Sequence, residues 1–180
     1  MKKKKILNTS KIKKNDLILA VPSNGLHSNG FSLVRDILKK KKINIKKSNF
    51  LKNELIRPTK IYVPEIMKLL NRNYLNGCAN ITGGGLLDNI IRIIPKGLCA
   101  KIDLSEIRVK KIFKWLKYNN ISEKEMMKTF NCGVGFCLIV KQNNLNKIKK
   151  FFSKEFKPYV IGKIINYKNK TKVNGKINWK

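Results

Sequence analysis

The sequence predicts an α/β (α+β) domain in which helices pack against a mixed β-sheet. Two apolar runs bounded by turn residues, 16–21 and 133–140, are typical of buried strands. Segments with apolar residues every three or four positions alternate with these runs and predict amphipathic helices. The 180 residues, 42% of them hydrophobic, are enough for one core.

The first predicted elements are a strand, a loop and a helix. Strand 16–21 ends at Pro22, and the helix that follows has Ser28 as its expected N-cap. The Lys- and Asn-rich stretch 39–53 predicts a solvated loop. A second helix opens at Pro58.

The rest of the chain continues the alternation. We expect a loop at 80–85, a helix at 86–94, a strand at 98–102, helices at 109–118 and 122–129, a central strand at 133–140, a helix at 145–152, a strand at 159–165 and a weak edge strand at 173–177.

The predicted domain covers residues 16–166. It is preceded by a basic segment, 1–15, and followed by a basic tail with an edge strand, 167–180. No apolar run is long enough for a membrane span, and the N-terminus lacks the apolar stretch of a secretory signal. The four cysteines form no C-x-x-C pair, so we expect buried thiols in the reducing cytoplasm.

The net charge of +31 has two readings. Lys, Ile and Asn, all with A/T-rich codons, make up 82 of the 180 residues, and only five of the 41 basic residues are Arg. Drift in base composition would produce this pattern in any protein. Polyanion binding is the alternative, although proteins that read phosphate and bases favour Arg. Nonspecific nucleic-acid binding at low salt fits both readings.

Two glycine-containing loops each lead into a helix. In residues 23–31, small residues and a helix start predict an anion site, and a tight turn is the alternative. The loop also holds His27, the one histidine of the chain. The three glycines that follow Thr82 predict a close backbone contact, with a ligand or with packed chain.

A third segment, 130–136, precedes the central strand. Asn131 is a turn residue or a ligand contact, and Cys132 is expected to be a buried small residue because no base for a thiolate nucleophile is evident. No carboxylate pair and no metal-binding cluster stands out in the sequence.

Together these segments resemble the C-terminal half of the aminoimidazole ribonucleotide synthetase (phosphoribosylformylglycinamidine cyclo-ligase) family, within the PurM-like superfamily. The family pattern G-P-H-S-N-G-[YF]-S-L-[VI]-R is similar to residues 25–35, and A-P-T-R-I-Y-V is similar to 57–63. T-G-G-G-x-x-E-N-I-P-R is similar to 82–92, and E-M-Y-R-T-F-N-x-G-[VI]-G to 125–135. An F-x-W-L helix recurs at 113–116, and the resemblance extends from residue 6 to 166.

The chain departs from the family at several points. The N-terminal half, which in the family forms the dimer barrel and much of the ATP site, has no counterpart. Asn76 and Asn80 stand where the family has histidines, which puts any proton-transfer role of those histidines in doubt. Leu26 and Ile91 replace prolines.

The resemblance implies an ATP-dependent ligase of purine biosynthesis with a PurM-like C-terminal fold. Phosphate of the substrate, or the transferred phosphoryl group, would be held by Ser28, Asn29 and Gly30. The backbone of the loop Thr82, Gly83, Gly84 and Gly85 would come close to the same substrate or phosphate group. His27 and Asn131 would orient the reacting groups as catalytic residues. ATP and Mg would be shared with the N-terminal half, which would hold most of the metal ligands.

We expect the chain to act as one piece of a split or truncated enzyme that pairs with a separate N-terminal half in a homodimer. A decayed, inactive remnant and a basic nucleic-acid-binding protein are the alternatives. The missing half should leave an apolar patch around Ile6, Leu7 and Ile12, with the loop at His27–Gly30 open to the same side.

Overall fold

The computed structural model describes residues 7–180. Its strands are β1 (Leu17–Pro22), β2 (Gly77–Asn80), β3 (Leu98–Asp103), β4 (Val134–Val140), β5 (Tyr159–Asn166) and β6 (Thr171–Asn174). Its helices are α1 (Phe31–Lys40), α2 (Asn49–Leu55), α3 (Val63–Asn71), α4 (Gly85–Ile91), α5 (Lys111–Tyr118), α6 (Glu123–Thr129) and α7 (Leu145–Lys149).

The strands form one six-stranded sheet in the order β2-β4-β1-β5-β3-β6. The pairs along the sheet are antiparallel except for β3 and β6, which are parallel. The predicted mixed sheet is therefore confirmed, and β4 lies inside it, as its unbroken apolar run indicates.

Helices cover both faces of the sheet. On β1, Ile18 and Ala20 join a core shared with α1, α4, α5 and α6, whereas Leu19 and Val21 join a second cluster with α3 and α7. Successive side chains of a strand point to opposite faces, so a strand buried on both faces is apolar at every position. This explains why the sequence of β1 shows a run and not an alternation.

The region between α1 and α3 differs from the prediction. The stretch expected to be a loop contains α2, whose first turn is capped by the Ser48 hydroxyl accepting from the Leu51 N–H at 3.3 Å. Helix α3 begins at Val63 and not at Pro58, although Pro64 does lie in its first turn. The loop prediction followed the density of Lys and Asn, but one serine cap and buried Leu51 are enough to hold a two-turn helix.

Strand β2 is not predicted, and β6 begins two residues and ends three residues earlier than predicted. The four residues of β2 include Gly77 and Asn80, both poor strand formers, and the prediction placed Asn80 in a loop. The strand exists because it pairs antiparallel with β4, which no local pattern reveals. β6 is an edge strand, as expected, and it is largely exposed.

The core extends beyond the predicted bounds of 16 and 166. Ile12 is 2% exposed and Ile177 is 4% exposed, and both belong to the main core. The Ile12 side chain lies over Gly77, where a Cβ would come within 2.7 Å of its Cδ1. The predicted exposed patch is therefore wrong at Ile12. Leu7 is half-buried against the cluster of α3, and Ile6 lies outside the described residues.

Two further expectations concern membrane-spanning segments and thiols. Within residues 7–180, no helix has both the length and the apolar character to cross a membrane. The four cysteines are free, with Cys99, Cys132 and Cys137 buried and Cys78 half-buried. The prediction of buried thiols holds for three of them.

Candidate functional site

The three glycine-containing segments meet at one end of the sheet. In the strand register Pro22 lies opposite Val134, and Asn80 lies opposite Phe136. Because β4 runs antiparallel to both neighbours, the ends of β1 and β2 flank its start. The loops at 23–30, 81–85 and 130–133 thus emerge together, although they are up to about a hundred residues apart in the chain.

Asn131 ties the first and third of these loops, 23–30 and 130–133, to each other. Its Oδ1 accepts from the Ser23 hydroxyl and from the Gly133 N–H, each at 2.9 Å. Its Nδ2 donates to the carbonyls of Gly25 and Leu26, at 3.0 and 3.3 Å. The side chain is 1% exposed, and these bonds use both amide hydrogens and both lone pairs of the oxygen.

The loop after β1 is also tied to the segment that precedes α3. Asn24 donates through Nδ2 to the Pro58 carbonyl at 2.8 Å and accepts at Oδ1 from the Lys60 N–H at 3.2 Å. The hydroxyls of Ser28 and Thr59 lie 3.1 Å apart. Residues 57–60, which carry the second family-like motif, therefore form one wall of the site.

His27 is packed into this arrangement. It is 7% exposed, and its ring centroid lies 6.0 Å from that of Tyr62. Burial, with a smaller contribution from the positive charge of Lys110, lowers the pKa of His27 to about 4. The imidazole is therefore neutral near pH 7.

Helix α1 begins without a side-chain cap. Gly30 is its N-cap, in the left-handed conformation with φ of 78°, and no side chain accepts from the first turn. The prediction that Ser28 is the N-cap is wrong, because the left-handed turn at Gly30 places the helix start two residues later. A Cβ at Gly30 would lie 2.1 Å from the Phe130 ring, so a side chain does not fit there. The first-turn N–H groups of α1 remain available to an anion.

The glycine triplet faces this helix start. The Asn29 Oδ1 lies 3.8 Å from where a Cβ of Gly83 would stand, and apart from the adjoining residues no other atom of the described part of the chain lies within 4 Å of that point. Gly85 has a different reason to be glycine, since its φ is 67° and a Cβ would lie 1.9 Å from the Met127 carbonyl oxygen. The sequence left open whether the close backbone contact of the triplet is with a ligand or with packed chain. At Gly85 it is with packed chain, whereas Gly83 has only the ordinary contact with Asn29.

A buried asparagine holds the triplet in place. Asn89, on α4, is 5% exposed and donates to the carbonyl of Gly85 at 2.7 Å and to that of Gly83 at 3.2 Å. Its Oδ1 accepts from the Thr82 hydroxyl at 3.2 Å. The hydroxyl of Thr82 is therefore committed to the loop itself.

Sequence reasoning missed several residues that shape the site. Asn24, Asn89 and Tyr62 lie within the sequence motifs, but no pattern indicates their individual roles, and no motif points to Lys110. An asparagine on the buried face of a predicted helix, as at Asn89, is the one local signal that could have been used, because buried amides need partners. Tyr62 donates from its hydroxyl to the Pro22 carbonyl at 2.9 Å, and burial raises its pKa.

The side chains of the site bear on two kinds of chemistry, metal binding and nucleophilic attack by a cysteine thiolate. Across residues 7–180, no three His, Cys, Asp or Glu side chains are grouped in a way that could hold a metal ion. Burial raises the pKa of Cys132 to about 12, so its thiol stays protonated near neutral pH. What the arrangement offers chemically is a set of backbone N–H groups at the start of α1, which are the kind of donors that anions accept from, with polar side chains around them.

Comparison with known proteins identifies the family. The sequence profile described as "AIR synthase related protein, C-terminal domain" matches residues 13–173. The phosphoribosylformylglycinamidine cyclo-ligase of Prochlorococcus marinus (strain NATL1A) is 39% identical over 178 residues, and that of Pseudothermotoga lettingae is 42% identical over 171. These alignments cover 94% and 92% of this chain but 51% and 50% of the relatives.

Solved structures show the same fold at low identity. A chain of a HypE–HypF complex superposes with a TM-score of 0.64 at 16% identity, over 93% of this chain and 52% of the other. PurLQS of Thermotoga maritima gives 0.61 at 12% identity, over 97% and 26%. Thiamine-monophosphate kinase of Stenotrophomonas maltophilia gives 0.60 at 14%, over 96% and 54%. The chain spans about half the length of the curated relatives it matches, and it belongs to the C-terminal domain family of AIR synthase related proteins.

Proposed function

We propose that this chain is the C-terminal domain of an ATP-dependent phosphoribosylformylglycinamidine cyclo-ligase, and that it acts together with an N-terminal half. The observation that carries the proposal is the meeting of three distant loops around the uncapped start of α1. Residues 16–166 would form the main part of the domain, and Ile12 and Ile177, from the segments on either side, complete its core.

In the proposed reaction ATP phosphorylates the amide oxygen of the substrate. A nitrogen of the same molecule then closes the five-membered ring and expels phosphate. Such a step depends on positioning and on stabilising charge on the departing oxygen. The N–H groups at the start of α1, with Ser28 and Asn29 beside them, suit a phosphate or phosphoryl group.

The remaining site residues would have supporting roles. Gly83 borders open space next to Asn29, so its backbone can approach a ligand closely. Thr82, Gly84 and Gly85 would keep that loop in shape. Asn131 would orient the loops through its four bonds, and His27 would face the reacting groups.

The proposed reaction uses ATP and magnesium, and this chain offers a candidate site for the phosphates of ATP but not for the metal. The α1 start and its polar neighbours are suited to the phosphate part of ATP. Magnesium prefers carboxylate oxygens, and the described part of the chain groups none of them suitably. We therefore assign metal ligands to the other half and derive no step through the metal in this domain.

An exposed apolar face next to the site is our proposal for where the N-terminal half packs. Ile61, Val63 and Met67 are 69%, 63% and 40% exposed, and the last two lie one turn apart on α3. This face continues the wall formed by residues 57–60. Half the length of each matched relative lies outside the alignment, so a partner of that size would cover it.

Reconstitution tests the proposal. The chain would be mixed with the unmatched half of the Prochlorococcus relative, and ATP-dependent formation of aminoimidazole ribonucleotide and ADP would be measured. We expect no turnover from this chain alone and turnover from the mixture. Gly83→Ala should reduce turnover without reducing thermal stability, since its Cβ meets only Asn29 Oδ1 at an ordinary 3.8 Å.

The contact face has its own test. Val63→Lys combined with Met67→Lys should abolish association of the halves, whereas Tyr118→Lys, at a side chain 68% exposed on α5, should not. Turnover by the chain alone would contradict the split-enzyme proposal. Association without turnover would favour the inactive remnant.

A further inference from the structure

The amide of Asn24 has an orientation that its backbone neighbours determine. Its Nδ2 donates to the Pro58 carbonyl oxygen, which can only accept, and its Oδ1 accepts from the Lys60 N–H, which can only donate. If the amide were turned over, its oxygen would face the Pro58 carbonyl oxygen and its NH₂ group would face the Lys60 N–H, and neither pair can form a hydrogen bond. The oxygen is therefore on the side of Lys60.

This same oxygen faces the imidazole of His27. The distance from His27 Nε2 to Asn24 Oδ1 is 2.9 Å. An amide oxygen has no proton to give, so Nε2 must carry the hydrogen of this bond. In a neutral imidazole only one nitrogen is protonated, which leaves Nδ1 with a free lone pair.

The other ring nitrogen has no partner in the described part of the chain. The fully buried side-chain polar atoms of residues 7–180 without a partner are Glu54 Oε2, Glu65 Oε2 and Trp179 Nε1. Nδ1 of His27 is not one of them, and the one hydrogen bond that the ring makes with residues 7–180 is through Nε2. Nδ1 therefore keeps access to solvent, although the residue as a whole is buried.

The surroundings keep the ring neutral and in place. The Tyr62 ring and the backbone of Gly135 lie against the His27 ring, and the positive charge of Lys110 acts on it electrostatically. A cation next to the ring disfavours a second proton on it, as burial does, and the pKa of His27 is accordingly lowered. A lone pair at Nδ1 thus persists near neutral pH.

We propose that Asn24 is a positioning residue that fixes His27 as its Nε2–H tautomer, so that Nδ1 acts as a hydrogen-bond acceptor toward the ligand. An acceptor cannot bind a phosphate oxygen, which also lacks a proton. The ligand group that faces His27 is therefore an N–H or O–H donor, and phosphate is left to the start of α1. Where the ligand is the cyclo-ligase substrate, which rests on the function proposed above, that donor belongs to its amine or amide part.

Nuclear magnetic resonance of the ¹⁵N-labelled chain tests the tautomer, and the chain has a single histidine, so one imidazole gives the signals. We expect the protonated nitrogen to correlate strongly with both ring C–H protons, as Nε2 does, and Nδ1 to appear unprotonated at pH 7. A protonated Nδ1, or equal averaging of the two tautomers, would overturn the proposal.

Variants separate positioning from folding. Asn24→Ala should produce a mixture of tautomers, whereas Asn29→Ala, in the same loop but without a bond to His27, should not. Asn24→Asp keeps the acceptor, so it should retain the Nε2–H form and raise the pKa of His27, because a carboxylate favours the imidazolium. An unchanged tautomer in Asn24→Ala would refute the role of Asn24, and if that variant does not fold, an unchanged pKa in Asn24→Asp would do the same.

The reconstituted enzyme supplies a separate readout. In Asn24→Asp the acid limb of the pH–rate profile should move to higher pH, because the raised pKa makes His27 take up its second proton at a higher pH. An unmoved acid limb would contradict the acceptor role at Nδ1. Failure of reconstitution would count against the proposed function but would leave the tautomer result standing.

Discussion

Replacement of Asn131 by alanine should destabilise the domain more than almost any other single change at the site. The variant removes the acceptor of the Ser23 hydroxyl, which is 0% exposed, and of the Gly133 N–H. Each buried donor left without a partner costs about 1–3 kcal/mol, which gives about 2–6 kcal/mol for the two. For a domain of this size that lowers the melting temperature by about 4–24 °C.

Thermal and urea unfolding of the purified chain would measure this effect. Asn53→Ala, at an exposed position of α2, is the matched control and should change stability by no more than about 0.5 kcal/mol. Asn131→Asp retains Oδ1 but turns an oxygen toward the carbonyls of Gly25 and Leu26, so it should also destabilise. If Asn131→Ala melts like the wild type yet abolishes turnover of the reconstituted enzyme, Asn131 contacts the ligand and our structural reasoning is wrong.

Three other changes have expected outcomes. Gly85→Ala should cost at least about 2 kcal/mol in urea unfolding, because its φ is 67° and its Cβ would clash with Met127, and a stable variant would show that the loop can shift. Ser28→Ala should leave stability within about 0.5 kcal/mol, since it caps no helix, but should weaken substrate binding in the reconstituted enzyme by about 1.5–3 kcal/mol; unchanged binding would remove Ser28 from the site. Because the pKa of His27 is lowered to about 4, the unfolded chain takes up a proton that the folded chain does not between about pH 6.5 and 4. The free energy of unfolding should fall over that range, and His27→Gln should lack this part of the loss.

The glycine loops that meet at the candidate site could be predicted because their sequence signals are local. Glycine next to a helix start, as at Gly30, and the triplet after Thr82 are read from neighbouring residues alone. The detail could not be predicted. Ser28 has the right chemistry for a cap, but the left-handed turn at Gly30 moves the helix start past it. Whether a glycine is packed tightly against other chain, as Gly85 is, or has only an ordinary contact, as Gly83 has, depends on atoms more than 40 residues away in the sequence.

By itself the sequence determined the order of most strands and helices, the burial of β1 and β4 and the family of the chain, since these depend on local apolar patterns and on motifs. Only the tertiary structure decided that β2 is a strand, that Ile12 lies in the core and that Asn24 faces His27. The reason is physical. β2 is held by pairing with β4, and the Ile12 side chain is buried because Gly77 has no side chain to occupy that space. The tautomer of His27 follows from the backbone groups of Pro58 and Lys60, which lie 31 and 33 residues further along the chain.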